Sequence, residues 1–478
     1  MADLLASKLN TTTDPQVGFR PRGVLDVQHA LDRYAGEFGM RQAAHLARRT
    51  GFGAIPAEVS TLQGLGVDRA VDSRLHPGAD PDFPDYPSAE QLYDPKVAGR
   101  ATQTWWLDRM LRTNRPLVEK MTLFWHGHFA TSIRKVPAPL MAQQINLLRS
   151  QGLGNFRTLL ASISKDPAML VWLDNRYNVK AHPNENYARE LMELFALGLG
   201  NYTETDVREA ARAFTGWTLD KNLQFTIIAA RHDDGLKTFL GRTGPFDGDD
   251  IVNIVVAQPI SQRFLARKLL EFFVYSDPEP ELIEQVASVY AYSGYDVAKT
   301  LGTILRSNVF YSPRAYRALP KSPLEFTLGT LRYLGVQTIP ANLIGFLARM
   351  GQEPLAPPSV KGWDGGPAWI NTSTLLTRFN FVNQTVAQAT AKSDDPMSAD
   401  RIVAMAGGMT DQRVLDVVLN TAVQNDVPAP IRSSLDDYLQ SRTGSGSGNP
   451  IPFGPENYAD KTRGVLALAL NLPVNQLN

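Results

Sequence analysis

Apolar residues along this chain recur at spacings of three and four far more often than at two. That period is the signature of amphipathic helices, since 3.6 residues complete a turn. Helical patterns run over 24–50, 97–113, 116–130, 139–151, 184–199, 205–214, 261–275, 280–293, 296–307 and 323–334. Alternation is scarce. Residues 224–230 (QFTIIAA) and 238–240, with turn residues between them, are expected to form one hairpin. The predicted fold is therefore mainly α: a large single helical domain with one small β-hairpin and a long irregular loop rich in Pro, Gly and Trp.

Three stretches interrupt the helical texture. Residues 77–87 hold four prolines and several aspartates and read as an extended surface loop. Residues 355–370 (LAPPSVKGWDGGPAWI) cannot continue a regular helix. Residues 443–449 (TGSGSGN) have the composition of a flexible linker. A main helical domain over 1–390 and a C-terminal helical extension over 391–478 follow from these breaks, with a last helix expected at 458–472. No internal repeat of fixed period is present.

Composition narrows the chemistry. The 478 residues include 48 Lys+Arg and 48 Asp+Glu, so the formal net charge is zero and the basic excess of a general nucleic-acid binder is missing. There is no cysteine, which removes disulfides, thiolate metal sites and cysteine nucleophiles together. Seven histidines and a set of carboxylates are left as metal ligands. No apolar run reaches the ~20 residues of a membrane span. The opening MADLLASKLN shows no basic stretch leading into an apolar one, so the chain as written is expected to be cytoplasmic. GxSxG, GxGxxG, P-loop and HExxH patterns are all lacking, and with them the usual support for serine hydrolases, nucleotide or flavin enzymes and zincins.

Five segments could carry chemistry. In 120–132 (KMTLFWHGHFATS), His128 shares a helical face with Leu117, Met121 and Phe124, whereas His126 lies about 200° away. An unbroken helix cannot aim both at one atom, but Gly127 between them would relax this if it ended the helix. The plain alternative is a core histidine bonded to a carbonyl. In 184–198 (NENYARELMELFALG), helical numbering puts Asn186, Glu190, Glu193 and Leu197 on one stripe. Two carboxylates on so apolar a helix need pairing, protonation or a metal if buried. Arg189 beside them would otherwise neutralise a carboxylate in a solvated network.

In 203–219, Thr205 is the expected N-cap, with Asp206 and Glu209 in the first turn. Arg208 and Arg212, four apart, would bind an anion or pair with carboxylates of the preceding helix. In 231–241, His232, Asp233 and Asp234 offer ligands in a turn, with Lys237 as counter-ion; the alternative is a turn held by Asp side chains. Finally Trp363 and Trp369, in a loop with three glycines, would form a lid, an aromatic wall or a rigid cover.

The chain resembles the bacterial domain of unknown function 1800 family. The resemblance rests on HLARRTGFG from His45, LFWHGHFATS from Leu123, GLGNFRTLL from Gly152, DPAMLVWLDN from Asp166 and NENYARELMELFALG. It continues through TETDVREAARAFTGWT, HDDGLKTFLG, ARKLLEFFV, KSPLEF and PPSVKGWDGG, in order, over roughly residues 40–380. It implies export, in contrast to the leaderless start, and carries no catalytic residue over.

Three functions are consistent with these residues. The first is a metal-dependent enzyme for oxidation or hydrolysis, with His126, His128, Glu190, Glu193 and His232 (or His45) around a divalent Fe, Mn, Zn or Cu ion. The second is a metal-free hydrolase or lyase acting on a glycan or small molecule. There Glu190, Glu193 or Asp233 would serve as acid and base, Arg189, Arg212 and Lys237 as charged helpers, Asn186 and Arg208 as binding groups, and Trp217, Trp363 and Trp369 as platforms. The third is a non-enzymatic scaffold whose polar motifs are salt-bridge networks.

Overall fold

The computed structural model describes residues 26–80, 83, 86, 94–440 and 453–478. Among these residues it contains twenty α-helices and two two-stranded antiparallel sheets, a mainly α architecture. The linker expected at 443–449 lies outside the described residues, as do parts of the 77–87 loop.

Prolines set many helix starts. Pro56, Pro116, Pro167, Pro259, Pro280 and Pro323 each occupy a first turn. There the missing N–H costs nothing and the fixed φ suits the helix. The helices in order are α1 (Met40–Arg49), α2 (Pro56–Leu75), α3 (Pro95–Arg112), α4 (Pro116–His128), α5 (Ala138–Gln151), α6 (Phe156–Ser164) and α7 (Pro167–Trp172). Then come α8 (Asn186–Glu190), which runs on as a π-helix over Leu191–Ala196, and α9 (Glu204–Ala213). After the sheets follow α10 (Gly248–Val256), α11 (Pro259–Phe273), α12 (Pro280–Tyr292), α13 (Val297–Leu305) and α14 (Pro323–Tyr333). The chain closes with α15 (Leu343–Arg349), α16 (Thr372–Ala389), α17 (Ala399–Met405), α18 (Asp411–Val423), α19 (Ala429–Gln440) and α20 (Tyr458–Asn471).

Several local expectations change. The pattern over 24–50 yields a helix only from Met40; its described residues before that form turns, a bridge and extended backbone. The two strand candidates do not pair with each other. Instead β1 (Trp217–Leu219) pairs with β2 (Phe225–Ile227), and β3 (Lys237–Phe239) with β4 (Arg242–Gly244). The β3–β4 turn places Leu240 and Gly241 at positive φ, the two-residue hairpin geometry that matches strand twist. Helix α9 starts earlier than expected: Thr203, not Thr205, is its N-cap, in a reciprocal capping box with Asp206.

One hydrophobic cluster extends from Ala30 to Leu472. Helix α4 lies deep in it, with every residue except Gly127 buried. Helix α5 packs along α4, and α3 and α2 also touch it. At the other end of the chain α20 packs on α16 and α18, and Leu477 bridges to Pro320 just before α14.

Candidate functional site

Helix α4 stays helical through Gly127 to His128, and the Phe129 N–H closes it on the Trp125 carbonyl. The angular separation therefore holds, and the two histidines diverge. His128 Nε2 donates to the Phe195 carbonyl at 2.9 Å. That carbonyl lies in the π-helical turn, where widened bonding sends both Leu197 N–H and Gly198 N–H to Met192 O. A helix-end carbonyl is thus satisfied by a side chain.

His126 turns the opposite way, to Trp106 and Trp363, with ring centroids at 5.4 and 5.6 Å. It is fully buried, and neither ring nitrogen has a hydrogen-bond partner among the described residues. Burial pushes both imidazoles down to about 3, so each is neutral at physiological pH.

The carboxylates of the π-helical segment do not join the histidines. Glu190 ends α8 and Glu193 lies in the π-helical turn that follows, and the two carboxylates remain neighbours. Both are half-buried. Tyr202 donates to Glu193 Oε2 at 2.9 Å, while burial and the neighbouring Glu193 push Glu190 upward. Arg189 serves neither: it binds Glu204 through both oxygens at 2.7 and 2.8 Å and reaches Glu185 at 3.2 Å. Asn186 and Arg208 are exposed, Arg208 resting on Thr205 at 3.0 Å.

The turn at 231–237 is latched onto α9. Arg212 grips Asp233 at 2.7 and 3.1 Å and its own helix partner Glu209 at 2.8 Å. This hydrogen-bonded pairing holds the Asp233 carboxyl down at about 2. His232 Nδ1 donates to Thr215 O at 2.8 Å, and Lys237 donates to the Asp233 and Gly235 carbonyls at 2.6 and 3.0 Å. Trp217 is buried between Phe214 and Phe225, so it offers no platform. His45 donates to Phe310 O at 2.9 Å and packs on the Phe310 and Tyr316 rings. The expected metal shell of His126, His128, Glu190, Glu193 and His232 is therefore not assembled. Among the described residues no three His, Cys, Asp or Glu side chains are grouped to hold a metal ion. The reason is local: each candidate already has a partner, a different facing or a helix-register offset.

What the fold does bring together are two distant sequence motifs, WHGHF on α4 and KGWDGG in the 355–370 loop. Gly362, at φ +87°, lies against the Gly127 carbonyl so closely that an added Cβ would sit 2.2 Å from that oxygen. The missing side chain at Gly362 lets the two backbones touch, whereas a Cβ on Gly127 would meet only the Trp363 ring at 3.9 Å. This contact seats Trp363 beside His126. The other side of the loop forms a cavity of about 350 Å³ with the end of α15 and the start of α16. Trp363 and Trp369 line it, with Arg349, Asp364, Asn371, Ser373 and Thr374 as its polar residues. Asn371 caps α16 and binds Thr374 in a reciprocal box. Glu190, Glu193, Asp233 and the α4 histidines are not among its lining residues. Sequence reading found the tryptophans but missed Arg349 and the helix start at Asn371, whose N-T-S-T pattern was a legible cap signal.

No helix among the described residues is long and apolar enough to cross a membrane. No curated protein and no solved structure matches the chain. The family described as "Protein of unknown function (DUF1800)" matches over residues 45–477. With nearly the whole chain matched, including the C-terminal helices beyond the motifs named above, this protein belongs to the DUF1800 family.

Proposed function

We propose that the chain binds a glycan unit in the cavity between the 355–370 loop, α15 and α16. One observation carries the reading: the half-buried Trp363, the edge of the buried Trp369 and a few polar side chains converge on an open cavity of about 350 Å³. Apolar faces for ring stacking plus a few placed donors and acceptors are what a hydroxylated ring ligand needs. Asp364 is the one carboxylate in the lining, so the reading is recognition rather than hydrolysis by a carboxylate pair. Titration with a panel of soluble oligosaccharides, followed by calorimetry, tests it. Saturable binding is expected, weakened about tenfold or more in Trp363→Ala and in Asp364→Asn, since tenfold corresponds to about 1.4 kcal/mol. Absence of binding across the panel refutes it.

A second reading, metal-dependent oxidation or hydrolysis, is favoured by one observation: neutral His126 keeps both ring nitrogens free of partners among the described residues. Elemental analysis of the purified protein and of a His126→Ala/His128→Ala variant tests that reading. Stoichiometric metal lost in the variant supports it; metal-free, folded protein refutes it.

A further inference from the structure

The HLARRTGFG and KSPLEF motifs, which take no part in the cavity, meet in the interior beside the 3₁₀ turn at Pro473–Gln476. They bring Arg48, Arg49 and Lys321 together with Arg378 of α16, all four essentially excluded from solvent. Among the described residues none of the four has a carboxylate within ion-pairing distance. The two carboxylates nearby are taken: Glu325 by Lys120, and Asp426 by Arg317 at 3.1 Å. The four cations bond only to neutral acceptors. Arg48 reaches Gln424 Oε1 at 2.7 Å, and Arg49 reaches the Val274 and Ala315 carbonyls at 2.8 and 2.7 Å. Lys321 reaches Asn475 Oδ1 at 2.9 Å, and Arg378 the Lys321 carbonyl at 2.8 Å and Gln476 Oε1 at 3.1 Å. Ring faces at Tyr316, Tyr333 and Phe326 lie under Arg48, Lys321 and Arg378 but carry no net charge.

Donors outnumber acceptors among the unsatisfied groups here. Arg48 Nε and Nη2, Arg49 Nε and Nη1, Arg378 Nε and Gln476 Nε2 are buried donors that lack a partner among the described residues, against one buried acceptor, His45 Nδ1. The Gln476 amide is fixed in that orientation because its oxygen accepts from Arg378. Water would meet such a set poorly, since its own two protons would find few acceptors. A species that only accepts, and that carries negative charge, answers both the donor excess and the charge excess. Burial first, then the charges of Arg317, Arg48 and Arg378, push the Lys321 ammonium well down, partly opposed by Glu325.

We propose that the interior cluster of Arg48, Lys321 and Arg378 binds a small inorganic anion, which completes the junction between α1, the start of α14, α16 and the C-terminal turn. The proposal does not depend on the glycan reading. The intact protein is dialysed into a buffer whose only anion is gluconate, a bulky organic anion. Chloride, sulfate or phosphate is then titrated at constant ionic strength while thermal unfolding is followed. A saturable rise of a few degrees is expected with at least one small anion, as for any ligand that binds only the folded state. Arg48→Met and Lys321→Met are expected to lose that rise. As a measurement independent of variant folding, crystals of the wild-type protein grown in bromide are expected to show an anomalous peak within hydrogen-bonding distance of Arg48 or Arg378. No saturable rise together with no bromide peak overturns the proposal. So does a rise that gluconate reproduces or that folded Arg48→Met and Lys321→Met variants retain.

Discussion

Replacing Gly362 by alanine probes the contact that seats the Trp363 loop on α4. The new Cβ would lie 2.2 Å from the Gly127 oxygen and 3.2 Å from its carbonyl carbon, both backbone atoms that cannot swing aside. The backbone at +87° is left-handed as well, which costs an L side chain about 1–2 kcal/mol. Overpacking adds about 1–3 kcal/mol, because the loop or α4 must shift by an atomic radius. The expected loss is therefore about 2–5 kcal/mol.

Gly241→Ala is the matched control. Gly241 has φ +77°, and a Cβ added there would meet nothing within 4 Å, so the cost is conformational alone, about 1–2 kcal/mol. Urea unfolding of both variants, read by far-ultraviolet circular dichroism, separates steric from conformational cost. Trp363 fluorescence, altered in Gly362→Ala alone, would place the disturbance at the His126 ring. Equal losses for the two variants would refute the reading that the loop is clamped by backbone contact.

Three further outcomes follow from buried polar groups. Lys120→Met leaves Glu325, largely shielded from solvent, without its ion-pair partner and should cost about 3–5 kcal/mol; adding Glu325→Gln should restore part of it, and strictly additive losses in a double-mutant cycle would contradict the pairing. Asp166 caps α7 and accepts from Gln144 at 2.7 Å, yet burial pushes its carboxyl up to about 7. Its folded value lies above its unfolded one, so its contribution is full below pH ~4 and fades as pH rises toward 7, by at most about 1.4 kcal/mol per pH step; stability curves from pH 4 to 8 should lose this slope in Asp166→Asn, and an unchanged slope would assign it elsewhere. His126→Leu removes two buried nitrogens that bond to nothing among the described residues and should keep stability or raise it by about 1 kcal/mol; a loss above about 2 kcal/mol would show that His126 holds a partner outside the described residues.

The sequence alone determined the helical class, because a period of 3.6 and the Pro, Asp and Thr start signals are local physics. It also marked the last helix and the irregular 355–370 loop, since glycine and proline act on their own backbone. Family membership was legible for the same reason, as the motifs are strings rather than contacts. The tertiary structure decided everything that depends on facing and pairing. The π-turn after Glu190 is a small register change, invisible in a hydrophobic pattern, and it places the Phe195 carbonyl where His128 bonds it. Arg189 and Arg212 found carboxylates that no spacing rule named, Glu204 and Asp233, because long side chains choose partners across loops. The divergence of His126 and His128 was calculable from helix geometry, but only packing showed that Gly127 leaves the helix intact. Gly127 instead meets Gly362, far along the chain, and that contact between two backbones seats Trp363 beside His126 and in the cavity wall.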